Sequence, residues 1–191
     1  VLFRSAVFDP ENAVRNIVAS PMYQNADFPN GRGQFGDQLQ RATFWNRMDR
    51  QHRWHVLMDP PRITRTIEVQ VTPDIGRLHR IGDPVTGIPF GSIDFGAMDS
   101  TIHTLIQALD LQPDELPIFV SYNSVPQALG YHDAYSVANP DGTSSLQTLI
   151  YTSWLDEALF GDIIADVSTF NHELGEWLND PYVNNFAPNW A

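Results

Sequence analysis

The sequence contains no cysteine and no lysine, and all 11 of its basic residues are arginines that lie at or before Arg80. Without cysteine the chain can form neither disulfides nor thiolate metal sites, and nothing can be inferred about its redox compartment. Long hydrophobic runs are absent too, because no apolar stretch approaches the roughly 20 residues that a membrane-spanning helix needs. The sequence therefore predicts a protein with no membrane span.

The missing basic residues leave the second part of the chain strongly acidic. Residues 81–191 carry 15 acidic side chains and neither Arg nor Lys, a net charge of −15, whereas residues 1–80 have a net charge of +3. Such a surface repels nucleic acid and favours metal ions or cationic groups as partners. A salt-rich habitat or a GC-rich genome would also produce an acidic surface without lysine.

Low-complexity segments, internal repeats and Gly/Ser/Pro-rich linkers are also absent, and 42% of the residues are hydrophobic. The length and the absence of linkers predict a single domain over residues 1–191, and its apolar periodicity predicts the α+β class. The chain starts without Met, and its first residues, "VLFRS", match the translation of the end of a common sequencing adapter. We therefore expect a fragment from a metagenomic assembly, truncated at one or both ends, in which a missing signal peptide gives no information about export.

The apolar periodicity predicts the order of the elements. Helices are expected at 35–48, 98–110 and 162–180, the second capped by Asp99 or Ser100. Strands are expected at 12–20, 53–58, 63–71, 76–82, 87–95 and 116–123. The last of these is nearly continuously apolar, which is typical of a central strand covered on both faces. A further pair, 127–137 and 145–155, flanks the turn sequence "ANPDGTS" and predicts a hairpin.

The segment "GRGQFG" at 31–36 matches the G-x-G-x-x-G pattern of dinucleotide-binding proteins. No predicted strand leads directly into its first glycine, so the tight turn that places a pyrophosphate at a helix N-terminus is missing. We therefore expect a Gly-rich loop that caps a helix, with no cofactor bound.

Four polar residues lie close together in "FNHELGEWLNDP" at 170–181, near the end of the last predicted helix. His172 and Glu176 are one turn apart on the side opposite the apolar stripe, so an imidazole and a carboxylate can converge on one cation. Glu173 lies about 100° around the helix axis from His172, where it can act as a general base on metal-bound water. Asp180 adds an oxygen donor. Alternatively, these residues form an ordinary solvent-facing surface with one weak ion pair.

A catalytic zinc site needs a third protein ligand. Asp180 is one candidate, but its Cα would lie about 12 Å along a straight helix from that of His172, so the helix would have to unwind before Pro181. His132, in the predicted hairpin, is another candidate, although it could simply be a hydrogen-bonded strand histidine. A ligand beyond Ala191 is a third. The remaining histidines, at 52, 55, 79 and 103, have no companions at ligand spacing.

Aromatic residues are frequent around the same helix and after it. They are Trp154, Trp177, Tyr182, Phe186 and Trp190. Such a group can form a stacking platform for sugars or peptide side chains, or it can pack the C-terminal segment onto the body of the protein.

The segment "HELGE" at 172–176 resembles the H-E-x-x-H helix of the zincin metallopeptidases, with Glu176 in the position of the second histidine. A larger part of the chain is similar to a group of poorly characterised, apparently secreted microbial proteins, through 35–45, "GYH" at 130–132, and 172–190. The resemblance implies a zincin-like fold, with a mixed sheet packed on two to three helices and the active-site helix near the C-terminus.

The same resemblance implies a secreted zinc peptidase. His172 and Glu176 would be metal ligands, with His132 or Asp180 completing the set, and Glu173 would deprotonate a metal-bound water for attack on a peptide carbonyl. The alternative is a non-catalytic secreted binding module that holds Ca²⁺ or Zn²⁺ structurally or recognises a glycan or cationic partner. Calcium would require additional oxygen ligands and would leave His172 dispensable.

Overall fold

The structure is a computed structural model, and it describes residues 10–20, 22–29, 31–47, 54–64, 66–84, 87–161 and 164–184. Among these residues the helices are α1 (Pro10–Val18), α2 (Phe35–Thr43), α3 (Phe95–Ala108), α4 (Glu157–Phe160) and α5 (Ser168–Asn179). The strands are β1 (Asn25–Phe28), β2 (Gly31–Gln34), β3 (Gly76–Ile81), β4 (Ile88–Ile93), β5 (Ile118–Tyr122), β6 (Ser124–Val125), β7 (Gly130–Ala138) and β8 (Ser144–Trp154). The predicted α+β class is confirmed.

A mixed three-stranded sheet supports the rest of the fold. Its strand order is β5-β8-β7, with β8 parallel to β5 and antiparallel to β7. The hairpin predicted from "ANPDGTS" is confirmed as β7 and β8, and Gly142 takes the positive φ of 84° in its turn. In the register of this sheet, His132 lies beside Ile150, which lies beside Ile118. These three residues therefore face the same side of the sheet.

Helix α5 packs on that side of the sheet. Phe170 and Leu174 are buried in one cluster with Ile150, and Met22 and Tyr23 join the same cluster from the N-terminal part of the chain. The apolar stripe predicted for the last helix is thus the side that contacts the sheet. One apolar residue of the predicted helix, Ile163, lies outside the described residues. The helix begins at Ser168, later than predicted, and ends at Asn179, one residue before Asp180 and two before Pro181.

Helix α3 packs on the opposite side. Ile102 and Ile106 are buried against Leu149 and Tyr151, whose neighbours in β8 face the other way. The helix begins at Phe95, earlier than predicted, because Asp94 provides the cap: its side chain accepts a hydrogen bond from the backbone N–H of Ala97 at 2.9 Å. The sheet is therefore covered by a helix on each face.

The strand that both helices cover is β8 and not the segment 116–123. Residues 147–153 of β8 are buried, whereas every residue of β5 is only partly buried. The prediction of a central strand at 116–123 was wrong because β5 occupies an edge of its sheet, where one neighbour is missing.

Two smaller sheets complete the described strands. β3 and β4 correspond to the strands expected at 76–82 and 87–95 and form an antiparallel pair, which the short β6 extends in parallel to β4. β1 and β2 form a separate hairpin. The segment "GRGQ" is strand β2 itself and leads straight into α2, so the expected Gly-rich capping loop is not present.

The strand predicted at 12–20 is a helix, α1, over its described part. Ala13 and Ile17 are buried one turn apart, and the residues between them are more exposed. The β-branched residues favoured a strand, but the i, i+4 spacing of the buried pair is the helical one.

The described part of the segment predicted as a strand at 53–58 is irregular, because its backbone is bonded to side chains. Val56 donates its N–H to Asp37 Oδ1 at 2.8 Å, and Met58 donates to Gln34 Oε1 at 2.7 Å. These acceptors lie at the start of α2, where Asp37 is fully buried. The buried side of α2 is consequently polar, whereas Phe35 and the nearby Trp45 are 48% and 70% exposed.

The second predicted strand, 63–71, also has no strand among its described residues. Ile63 is 64% exposed and Ile67 is 36% exposed, so the alternating pattern does not correspond to a buried face. No helix in the described ranges is both long enough and apolar enough to cross a lipid bilayer.

Candidate metal centre

Helix α5 presents Glu173 to the sheet and His172 and Glu176 to its edge. Glu173 is 6% exposed and belongs to the buried side of the helix, between Phe170 and Leu174. His172 and Glu176 are exposed. The alternative of an ordinary solvent-facing surface is therefore wrong for Glu173.

Glu173 can lie against the sheet because Gly130 leaves the space. A Cβ atom at position 130 would be 2.6 Å from Glu173 Cγ, 2.8 Å from Glu173 Oε1 and 2.9 Å from the carbonyl oxygen of Tyr151. These distances are well inside van der Waals contact. The glycine of the "GYH" segment is thus the residue that allows a carboxylate to be buried at this point of β7.

His132 follows two residues later on the same side of β7. Its side chain is 13% exposed, and Nδ1 lies 3.9 Å from Glu173 Oε2 and 3.7 Å from Glu176 Oε2. One ligand atom from each of His132, Glu173 and Glu176 lies within 4.8 Å of the other two. The structure therefore brings a strand histidine together with two carboxylates of the helix.

His172 approaches the same group from outside. Its side chain is 66% exposed, and Nε2 lies 3.1 Å from Glu176 Oε1. The two oxygens of Glu176 thus face different imidazoles, His172 through Oε1 and His132 through Oε2. Glu176 is the residue that connects the buried and the exposed parts of the cluster.

Asp180 lies at the C-terminal end of α5 and is not part of the group within 4.8 Å. Its backbone N–H donates to the carbonyl oxygen of Glu176 at 2.8 Å, and its Oδ1 accepts from the backbone N–H of Asn184 at 2.9 Å. The helix therefore closes at Asp180 in a way that directs one carboxylate oxygen to the following turn. Of the two candidate third ligands among the described residues, the geometry favours His132.

The carboxylates raise the pKa of His132. Glu173 is the largest influence, and Glu176 and Asp180 add to it, while burial of the ring acts in the opposite direction. At 3.9 Å the contact with Glu173 is an ion pair and is too long for a direct hydrogen bond. The other ring nitrogen, Nε2, is buried with no hydrogen-bond partner among the described residues. The cluster thus has surplus negative charge that a cation would neutralise.

This donor set fits a metal ion by its chemistry. An imidazole nitrogen and carboxylate oxygens are the groups that bind Zn²⁺, and the half-exposed Glu176 leaves one side of the cluster open to solvent. Sequence reasoning identified every member of the group, but it assigned Glu173 to the role of a base beside the metal. In the structure Glu173 is as close to His132 as Glu176 is, to within a few tenths of an ångström.

The aromatic residues have mostly a packing role where the structure describes them. Trp154 and Trp177 are partly buried and pack against the cluster between α5 and the sheet. Tyr182 is 49% exposed, while Phe186 and Trp190 lie outside the described residues. Of the two alternatives for the aromatic residues, packing is therefore the one that Trp154 and Trp177 follow.

Comparison of the chain with protein-family models, with curated proteins and with solved structures gave no match. The function therefore has to be inferred from the geometry of His132, Glu173 and Glu176.

Proposed function

We propose that this protein is a zinc-dependent hydrolase that acts on peptides. His132 and Glu176 would hold the metal ion, His172 would complete the ligand set, and Glu173 would act as the general base beside it. The observation that carries the proposal is the convergence of His132 from β7 with Glu173 and Glu176 from α5 within 4.8 Å. His132 is 41 residues from Glu173 and 44 from Glu176 in the sequence, so its meeting with the two helix carboxylates is a property of the fold.

Zinc suits this set better than calcium. Calcium takes six to eight oxygen ligands, whereas the cluster has two carboxylates and a strand imidazole, with a second imidazole 3.1 Å from Glu176. Zinc takes four ligands from nitrogen and oxygen donors, one of which is water in catalytic sites. When bound, the ion would supply a water of lowered pKa as the nucleophile.

Glu173 suits the role of the base because it is buried beside His132. Its side chain is 8% exposed, and Gly130 lies close against it. A carboxylate in such surroundings has few alternative positions, which favours proton transfer over a fixed distance.

The proposed substrate class, the zincin-like fold and export from the cell come from the resemblance of "HELGE" to the zincin helix. The mixed sheet and the position of α5 after the β7–β8 hairpin are compatible with that fold. Glu176 in place of a second histidine does not abolish zinc binding, because carboxylate is a good zinc ligand.

The test combines metal analysis with peptide hydrolysis in the Glu173→Gln variant. The protein is stripped with a chelator, reconstituted with Zn²⁺, and assayed on quenched fluorescent peptides. We expect Glu173→Gln to keep its zinc and to lose activity by at least about 100-fold, because a general base contributes that much. Glu157→Gln, which changes an exposed acid of α4, is the matched control and should keep both.

Two outcomes contradict parts of the proposal. Unchanged hydrolysis in Glu173→Gln eliminates Glu173 as the base. Simultaneous loss of zinc and activity in that variant would make Glu173 a ligand, which is the role its distance from His132 also permits.

A second candidate function is a binding module with a structural zinc. The observation that favours it is the burial of Glu173 at 6% exposure, which restricts access of a substrate to that carboxylate. This candidate predicts stoichiometric zinc, a higher melting temperature with zinc, and no hydrolysis of any peptide.

A further inference from the structure

Strand β7 carries polar residues on both of its faces. His132 faces α5, and the next residue, Asp133, faces α3, because successive strand residues point to opposite sides of the sheet. Helix α3 has Asp99 and His103 one turn apart, and one ligand atom from each of Asp99, His103 and Asp133 lies within 4.8 Å of the other two. The expectation that His103 has no companion at ligand spacing was therefore wrong.

The three side chains are only partly accessible to solvent. Those of His103 and Asp99 are 27% and 24% exposed, and His103 Nε2 lies 3.6 Å from Asp99 Oδ1. Asp99 Oδ1 also accepts a hydrogen bond from the Tyr131 hydroxyl at 3.2 Å. Asp133 Oδ1 accepts from the backbone N–H of Ala134 at 2.7 Å. Both carboxylates are thus held in place by groups outside the cluster.

A buried nitrogen of His103 also supports ligand binding by this group. His103 Nε2 is a buried nitrogen without a hydrogen-bond partner in the described part of the chain, although it is directed at a carboxylate. The ring of His103 lies against that of Tyr135, with centroids 4.0 Å apart, so its orientation is fixed by packing. A buried nitrogen left unsatisfied is unfavourable, and a metal ion coordinated there would remove the penalty.

The group lies in residues 81–191, which carry 15 acidic side chains and neither Arg nor Lys.

We propose that Asp99, His103 and Asp133 bind a second divalent transition-metal ion, which joins α3 to β7. Two carboxylates and a neutral imidazole offer the oxygen and nitrogen donors that such ions prefer, and a charge of +2 neutralises the two aspartates. This site lies across the sheet from the His132 cluster and shares no residue with it. Its role is structural, since its ligands come from two elements that it holds together.

The test is a calorimetric titration of the chelator-stripped protein with Zn²⁺, followed by metal analysis after dialysis. We expect two ions in the wild type, one in His103→Ala and one in His132→Ala, and none in the double variant. Asp133→Asn preserves the shape of the side chain and should weaken the second site by more than about 10-fold, because it removes a charged ligand. His79→Ala, which removes a histidine bonded to Ser92 on another sheet, is the matched control and should keep both ions.

The two histidine variants test the two metal sites separately. A single ion that is lost in His132→Ala and retained in His103→Ala overturns the second site and leaves the first. A single ion that is lost only in His103→Ala supports the second site and contradicts the first. The second site is also overturned if His103→Ala and Asp133→Asn both bind zinc with the stoichiometry and affinity of the wild type. Circular dichroism of each variant verifies that the chain is folded.

Discussion

Gly130 and His132 lie on the same side of β7, and together they determine what α5 can place against the sheet. Gly130 leaves room for Glu173, and His132 supplies the nitrogen that the buried carboxylate faces. The spacing of two residues is what puts both on one face of a strand. The short "GYH" segment is therefore part of the candidate centre, and it carries both the ligand and the space for its partner.

Gly130→Ala is expected to destabilise the protein by about 1–3 kcal/mol, because the new methyl group would overpack the contact with Glu173 and the Tyr151 carbonyl. It should also lower the peptidase activity, since Glu173, the proposed base, has to move. Chemical denaturation and the peptide assay measure the two effects.

The matched control for this change is Gly175→Ala, in α5 itself. A Cβ atom there would meet its nearest neighbour, Leu39 Cδ2, at 3.8 Å, which is an ordinary contact. Replacing a helical glycine with alanine should stabilise the protein by about 0.5–1 kcal/mol. If Gly130→Ala and Gly175→Ala change the stability by the same amount, the close approach of Gly130 to Glu173 does not affect stability.

The raised pKa of His132 makes the stability of the metal-free protein depend on pH. Because the folded-state pKa is above the unfolded value of about 6.5, protonated His132 contributes stability that is fully present below that pH. The contribution is lost as the pH rises through the folded-state pKa. Urea unfolding of the chelated protein between about pH 5 and 9 should show this loss. This loss of stability should be absent in His132→Asn. If the variant and the wild type have the same dependence of stability on pH, His132 is not the group responsible.

The residues of the cluster were predictable from the sequence, but the burial of their side chains was less so. His132 was a candidate ligand because it lies in a hairpin strand beside the last helix, and the structure places it there. The burial of Glu173 was not predictable from the helical wheel, because it depends on a glycine in another element 43 residues away.

Elements were predictable from the sequence where their own side chains determine them. The β7–β8 hairpin, the β3–β4 pair and the apolar sides of α3 and α5 all follow from local patterns and turn residues. The segment 54–58 was not predictable, since its backbone groups bond to Gln34 and Asp37 and not to a strand. Periodicity gives no information about such long-range side-chain acceptors.

Asn123 connects the elements at the end of β5. It is fully buried, has a positive φ of 46°, and donates from Nδ2 to Asp156 Oδ2 at 2.9 Å and to the carbonyl oxygen of Pro89 at 3.3 Å. Its Oδ1 accepts from the backbone N–H of Asp156 at 3.0 Å. One side chain thereby ties β4, β5 and the start of α4.

Asn123→Ala is expected to cost about 2–4 kcal/mol, because buried groups lose their partners and alanine is strained at positive φ. Asn123→Gly at the same position loses the same hydrogen bonds without that strain, so it should be less destabilised than alanine, by about 1 kcal/mol. Equilibrium unfolding of the two variants separates the contributions. Equal costs would show that the backbone conformation contributes nothing.

The whole molecule divides its charge unevenly, with a net −15 after residue 80. Both metal-capable groups of the described residues belong to this acidic part. Repulsion among the carboxylates destabilises the compact state and decreases when salt shortens the range of the interaction.

The metal-free protein should therefore melt at a higher temperature as NaCl increases from about 0.01 to 0.5 M, over which the Debye length falls several-fold. With zinc bound the increase should be smaller, because part of the charge is already neutralised. Thermal melts with sodium chloride in both states measure this. A melting temperature that is independent of salt in the metal-free protein would mean that the carboxylates do not repel appreciably.

An anomalous-difference map of zinc-reconstituted crystals can show whether β7 and α5 together hold a metal ion. We predict a peak between His132 Nδ1 and the Glu176 carboxylate, with a zinc–nitrogen distance of about 2.0–2.1 Å. An ordered His132 and Glu176 with no peak between them, in crystals grown with excess zinc, would mean that these two residues do not bind the metal.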